Sequence, residues 1–145
     1  MPETLTSALT RYYDAVPYDS HPFPQTAMEH LEALAFLFGL DAPLPSTARV
    51  LELGCASGGN LIPFAARHPR ARALGLDLSP VQVAQGQACI AQVGLKNVEL
   101  RAFDIASIDA SFGKFDYIIC HGVYSWVPGA VQDAILRVCS EHLAP

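Results

Sequence analysis

One stretch constrains this chain more than any other: Val50-Leu51-Glu52-Leu53-Gly54-Cys55-Ala56-Ser57-Gly58-Gly59-Asn60. An apolar run carrying a single acid passes into small residues and then into a helical segment over 60–68. Pro63 falls in the first turn of that segment, where a missing N–H is tolerated. Strand, small-residue turn and helix together open a βαβ unit. Gly54 and Gly58 can take positive φ and let a ligand approach bare backbone, and Ala56 is nearly as small. Taken alone, such a loop serves equally well as a structural tight turn.

The pattern then repeats. Residues 71–76 form a second apolar strand ending at Asp77. Ser79-Pro80-Val81-Gln82 opens a helix with a capping serine, a proline at the first helical position and the glutamine of an S-x-x-Q box. That helix runs to about Val93, where Gly94 can take the left-handed cap. Residues 98–103 and 115–120 read as third and fourth strands, and 131–143 as a closing helix. The order implies an α/β class, a doubly wound, Rossmann-like parallel sheet over residues 46–145.

Residues 1–45 have a different texture and read as a helical and aromatic cap. A short helix fits 4–13. Tyr12, Tyr13, Pro17, Tyr18, His21, Pro22, Phe23 and Pro24 then make an ordered loop or extended chain, because each proline removes a donor and disfavours helix before it. Residues 26–38 read as a helix with Leu31, Leu34, Ala35 and Phe38 on one face and Gly39 as its cap.

Doubly wound sheets bind ligands at the carboxyl ends of their strands. Here those ends carry Glu52 with the small-residue loop, Asp77, Asp104 and the segment 121–126. A carboxylate at Glu52 repels a pyrophosphate and suits a cationic amino group. Asp77, twenty-three residues after Gly54, is placed to accept hydrogen bonds from both ribose hydroxyls of an adenosine. The other reading of Asp77 is an acid favoured by the start of the next helix. Asp104 can accept from an adenine exocyclic amine, with Ile105 offering an amide and an apolar surface. The bland alternative for Asp104 is a loop acid or helix cap.

Together these features resemble the class I S-adenosylmethionine-dependent methyltransferases. The loop matches their first motif, Asp77 their ribose acid, Asp104 their adenine-side acid, and Phe115-Asp116-Tyr117-Ile118-Ile119-Cys120 their fourth strand. The likeness runs from about Tyr12 to the end of the chain. A narrower one lies in Tyr13-Asp14-Ala15-Val16-Pro17-Tyr18-Asp19-Ser20-His21-Pro22-Phe23 and His121-Gly122-Val123-Tyr124-Ser125-Trp126-Val127-Pro128. Both segments are similar to bacterial methyltransferases with a C-terminal regulatory domain, some of which are protein lysine methyltransferases.

The resemblance implies S-adenosyl-L-methionine as cofactor, no metal, and a protein or small-molecule methyl acceptor. It implies a cofactor site of Glu52, Gly54, Ala56, Gly58, Asn60, Asp77, Leu78, Asp104, Ile105 and His121. His121 and Tyr124 are the candidates for a catalytic role, with Tyr18, His21, Phe23 and Trp126 as further pocket walls. Two alternatives stand beside this reading. One is an NAD-type oxidoreductase, because Gly54-x-Ala56-x-x-Gly59 is a relaxed G-x-G-x-x-G. The other is a non-catalytic module that senses the cofactor. The class I sheet has seven strands and this chain supplies four. The chain is therefore expected to be the N-terminal part of a longer protein, inactive alone and prone to self-association through a free edge on strand four.

Composition trims the remaining possibilities. Of 145 residues, 51% are hydrophobic and 16% charged, which excludes global disorder. Nine Lys and Arg against fourteen Asp and Glu argue against a nucleic-acid groove. No run of eighteen apolar residues suggests a membrane span. Met1-Pro2-Glu3-Thr4 has no signal-peptide character, so a cytoplasmic setting with reduced Cys55, Cys89, Cys120 and Cys139 is expected.

Overall fold

The computed structural model describes residue 11 and residues 20–145. The helix expected over 4–13 and the loop around Tyr12, Tyr13, Pro17 and Tyr18 lie outside the described residues. The sheet has four parallel strands: β1 (Arg49–Leu53), β2 (Arg72–Asp77), β3 (Val98–Ala102) and β4 (Tyr117–Ile119). Their spatial order is β3-β2-β1-β4. Over residues 20–145 the α-helices are α1 (Met28–Leu37), α2 (Leu61–Arg67), α3 (Pro80–Val93) and α4 (Gly129–His142). Among the described residues no helix is long and apolar enough to cross a membrane.

The strands read as near-continuous apolar runs because both faces of the sheet are covered. On one face Val50, Ala73, Val98, Leu100, Tyr117 and Ile119 join Leu61, Phe64 and Ala65 of α2, Val83 of α3 and Met28 of α1. On the other, Leu51, Leu53 and Leu76 join Ala134, Ile135 and Val138 of α4 with Ile105, Ile108 and Phe115. Alternation along β1 therefore sends Val50 and Glu52 to the first face, and Leu51 and Leu53 to the second.

Helix α3 starts and stops where its sequence signals say. Ser79 Oγ accepts from the Gln82 N–H at 3.2 Å, Pro80 holds the first position, and Gly94 caps the end at φ +79°. The return arm of the S-x-x-Q box is not made, because the Ser79 N–H donates to Asp77 Oδ1 at 2.9 Å. Mid-helix Gly86 has a packing reason. A Cβ there would sit 2.6 Å from the Ser57 carbonyl oxygen and 2.3 Å from Leu100 Cδ1. The missing side chain lets α3 close against the small-residue loop.

Two expectations are corrected. The apolar face proposed for residues 26–38 is covered only at its start, where Met28 is buried and Leu31 packs against the core. Leu34 is exposed and Phe38 is 76% exposed. The anchor of α1 lies at its first turn, where Glu29 accepts hydrogen bonds from Arg67 at 3.0 Å and His68 at 2.8 Å. Strand four is also shorter than 115–120. Phe115 forms a parallel bridge with Leu143, accepting from the Ala144 N–H and donating to the His142 carbonyl, each at 2.8 Å. Residues 143–144 thus occupy the start of the edge expected to stand bare, while among the described residues Tyr117–Ile119 have β1 as their only sheet neighbour.

Gly86→Ala should lower the urea midpoint. Alanine gains about 1 kcal/mol of helix propensity, but the Ser57 carbonyl belongs to a backbone held elsewhere, and overpacking of this kind costs about 1–3 kcal/mol. Gln85→Ala, exposed on the same helix, should not lower it. A raised midpoint for Gly86→Ala would refute the packing role.

Candidate functional site

The strand order reverses beside β1, and the carboxyl ends of β1, β2 and β4 meet there. Glu52 lies in one row with Gly75 of β2 and Ile119 of β4, on the face covered by α2 and α3. An acid in that row is buried, and Glu52 is 3% exposed. Asn60 Nδ2 donates to Glu52 Oε1 at 2.6 Å, whereas Oε2 has no hydrogen-bond partner among the described residues. Asn60 Oδ1 accepts the Phe23 N–H at 2.8 Å. Burial pushes the Glu52 carboxyl up to about 7; the Asn60 hydrogen bond partly offsets this, and the nearby Asp77 charge adds to it.

The loop after β1 has φ +76° at Gly54, +48° at Ala56 and +84° at Gly58. Ala56 therefore sits in the left-handed region that costs a residue with a Cβ about 1 kcal/mol. Its amide donates to Asp77 Oδ2 at 2.8 Å. The amides of Gly54 and Cys55 bond the Leu76 carbonyl, Gly58 bonds the Cys55 carbonyl, and Gly59 bonds Ser20 Oγ. The backbone that the small residues were expected to bare to a ligand thus has five of its amides spent inside the protein.

The space beside each glycine is likewise filled by protein. A Cβ on Gly54 would meet Val123 at 2.3 Å, on Gly58 it would meet Leu100 and Ile62, and on Gly59 the backbone of Ser20 and His21. Cys55, buried among the Asp77 and Glu52 charges, has its thiol pushed far up and stays protonated.

Asp77 accepts from two backbone amides, Ala56 on Oδ2 and Ser79 on Oδ1. Asp104 Oδ1 caps the short turn 105–107 through the Ala106 N–H at 2.9 Å. Both acids, with Leu78, Ile105 and Glu52, line a cavity of about 500 Å³. Phe23 and His121 stack at its mouth with ring centroids 4.1 Å apart, beside Trp126, which is 77% exposed.

Of the expected cofactor residues, Glu52, Gly54, Ala56, Asn60, Asp77, Leu78, Asp104, Ile105 and His121 line this cavity. Gly58 does not; it turns the loop against Leu100 and Ile62. His21, Phe23 and Trp126 line it, Tyr124 does not, and Tyr18 lies outside the described residues. Sequence reading missed Ser20, Gln82, Val127 and Val131, and had Val123 only as part of the segment 121–126. Gln82 was hidden by its apparent capping duty, and the valines by their apolar character. The pair Gly58-Gly59, one glycine more than the turn needs, was a usable sign that another segment packs on the loop.

Among the described residues, the fully charged ones lining the cavity are all acids, with no Lys or Arg. With five of the loop amides consumed, the cavity has little to offer a phosphate and much to offer a cation and hydroxyl donors.

Comparison with known proteins identifies the family of the chain. A family model described as a methyltransferase domain matches residues 51–145. An uncharacterized protein of Rickettsia prowazekii is 52% identical over 132 residues, covering 91% of this chain and 24% of that protein. The structure of PKMT2 from Rickettsia typhi in complex with AdoHcy superposes with a TM-score of 0.86 at 47% identity, covering 89% of this chain and 25% of that one. A trans-aconitate 2-methyltransferase of Methylobacterium nodulans is 35% identical over 103 residues, covering 71% of this chain and 37% of that protein. The chain spans about a quarter of the length of the two rickettsial relatives.

The Glu52 carboxyl gives a pH signature. Its pKa in the folded state, about 7, lies above the ordinary 4.5. The resulting stability is present below about 4.5 and lost as pH rises through 7. Glu52→Gln should therefore match the wild type in urea midpoint near pH 4.5 and exceed it at pH 8, by up to roughly 3 kcal/mol. A gap that does not widen with pH would show the carboxyl to be ionised throughout.

Proposed function

Because the chain belongs to the methyltransferase-domain family, we propose that its cavity binds S-adenosylmethionine and serves methyl transfer to a nucleophile, with a protein lysine as the acceptor. One observation carries the cofactor half of this reading. A cavity edged by Glu52, Asp77 and Asp104, beside a loop with five of its amides already bonded, suits a cationic nucleoside better than a dinucleotide. The NAD-type alternative loses for the same reason.

The residues fit the group chemically. Glu52 Oε2 is a buried acceptor without a partner and would pair with the ammonium of the methionine moiety. Asp77, oriented by two backbone donors, would accept from the ribose hydroxyls. Asp104 would accept from the exocyclic amine, and Leu78 and Ile105 would flank the base. When bound, S-adenosylmethionine supplies a methyl group activated by a sulfonium charge.

What the chain adds is position and dryness. Phe23, Trp126, Val127 and Val131 make an apolar mouth in which a lysine amine is poorly solvated. Desolvation lowers the amine's pKa from about 10.4 and favours its nucleophilic form. His121, stacked on Phe23 at this mouth, is the side chain best placed to take the departing proton. The name of the Rickettsia typhi neighbour supports the lysine reading.

Calorimetric titration should show binding of S-adenosylhomocysteine and none of NAD. Asp77→Ala should weaken the former at least tenfold, since charge-assisted hydrogen bonds contribute about 1.5–3 kcal/mol each. Methyl incorporation into lysine-containing peptides should vanish when the lysines are acetylated. NAD binding in place of S-adenosylhomocysteine would overturn the cofactor assignment, and transfer that survives acetylation would overturn the acceptor.

A further inference from the structure

Resting on the reading that the cavity holds an adenosine, we propose that Gln82 is a specificity residue whose side-chain oxygen accepts a hydrogen bond from the nucleoside. Gln82 sits at the third position of α3, where an S-x-x-Q box would turn its amide back to the Ser79 N–H. In this fold Asp77 has taken that donor, so Gln82 is released from capping. It is only 3% exposed, and its Oε1 has no hydrogen-bond partner among the described residues. It lines the cavity together with Asp77, Leu78, Asp104 and Ile105.

A buried acceptor without a donor is costly, and native proteins rarely keep one without reason. The neighbours Val83 and Gly86 are buried too, so leucine at 82 would fill the same space at no polar cost. The orphan is an oxygen, and its partner must be a donor. Adenosine carries donors in two places only, the exocyclic amine and the ribose hydroxyls. Gln82 therefore adds a neutral acceptor to the charged ones at Asp77 and Asp104, on the wall that the small-residue loop does not supply.

The test is Gln82→Leu in the full chain, read by urea unfolding without ligand and by calorimetric titration. Without ligand the variant should be as stable as the wild type or more stable, because an unsatisfied polar atom has been removed. Its affinity for S-adenosylhomocysteine should fall about three- to tenfold. Loss of that difference with S-inosylhomocysteine, which lacks the amine, would support amine recognition. Loss of it with a 2′- or 3′-deoxy analogue would support hydroxyl recognition.

Equal affinity of variant and wild type for S-adenosylhomocysteine would overturn the proposal and leave the cofactor reading intact. So would a variant that loses stability and affinity together, the mark of a structural role. Failure of the wild type to bind S-adenosylhomocysteine would remove the cofactor reading and this inference with it.

Discussion

Asp77 is the joint on which the site is built. One carboxylate oxygen holds the amide of Ala56 and the other the amide of Ser79. A single side chain at the end of β2 thereby ties the loop after β1 to the first turn of α3. Three further features follow from that tie. Ala56 is held at φ +48°, a conformation glycine adopts freely and alanine does not. Helix α3 must pass close beneath the loop, which leaves no room for a side chain at Gly86. The Ser79 donor is consumed, so the Gln82 side chain is left to the cavity.

The electrostatics run in the same direction. An acid on the core face of β1 is expensive to ionise, and Asn60 donates to only one of its two oxygens. Asp77 lies close enough to make ionisation harder still. Like charges gathered around a pocket without Lys or Arg raise the cost of the empty protein and lower that of a bound cation. The same loop in a dinucleotide site would keep its amides free for phosphate. Here Leu76, Cys55, Asp77 and Ser20 have taken them.

How much of this was legible depended on sequence distance. The strand ends, the Ser79 cap and the Gly94 stop are local signals written within a few residues, and each appears where its chemistry places it. Glu52, Asp77 and Asp104 could be grouped because parallel α/β topology brings strand ends together. Which segment each glycine makes room for was not readable. Gly54 yields to Val123, sixty-nine positions away, and Gly59 to Ser20, thirty-nine positions away. Nothing near either glycine announces that partner. The exposed end of α1 and the short β4 misled for a related reason. Periodicity reports which face of a segment is apolar, but not whether another segment arrives to cover it.

Asn60 shows how a long-range contact can settle a local ambiguity. A carboxamide can face a neighbour with either its oxygen or its nitrogen. The Phe23 backbone N–H can only donate, so Asn60 must present Oδ1 to it. That leaves Nδ2 for Glu52, and a donor there favours the carboxylate over the acid. The segment around Phe23 also places Ser20 Oγ on the Gly59 amide and its aromatic ring on His121. A stretch of chain remote from the sheet in sequence thus touches the loop, the buried acid and the end of β4 at once. The protonation of Glu52 and the seating of that segment over the cavity are therefore physically linked, because Asn60 carries the hydrogen bonds of both.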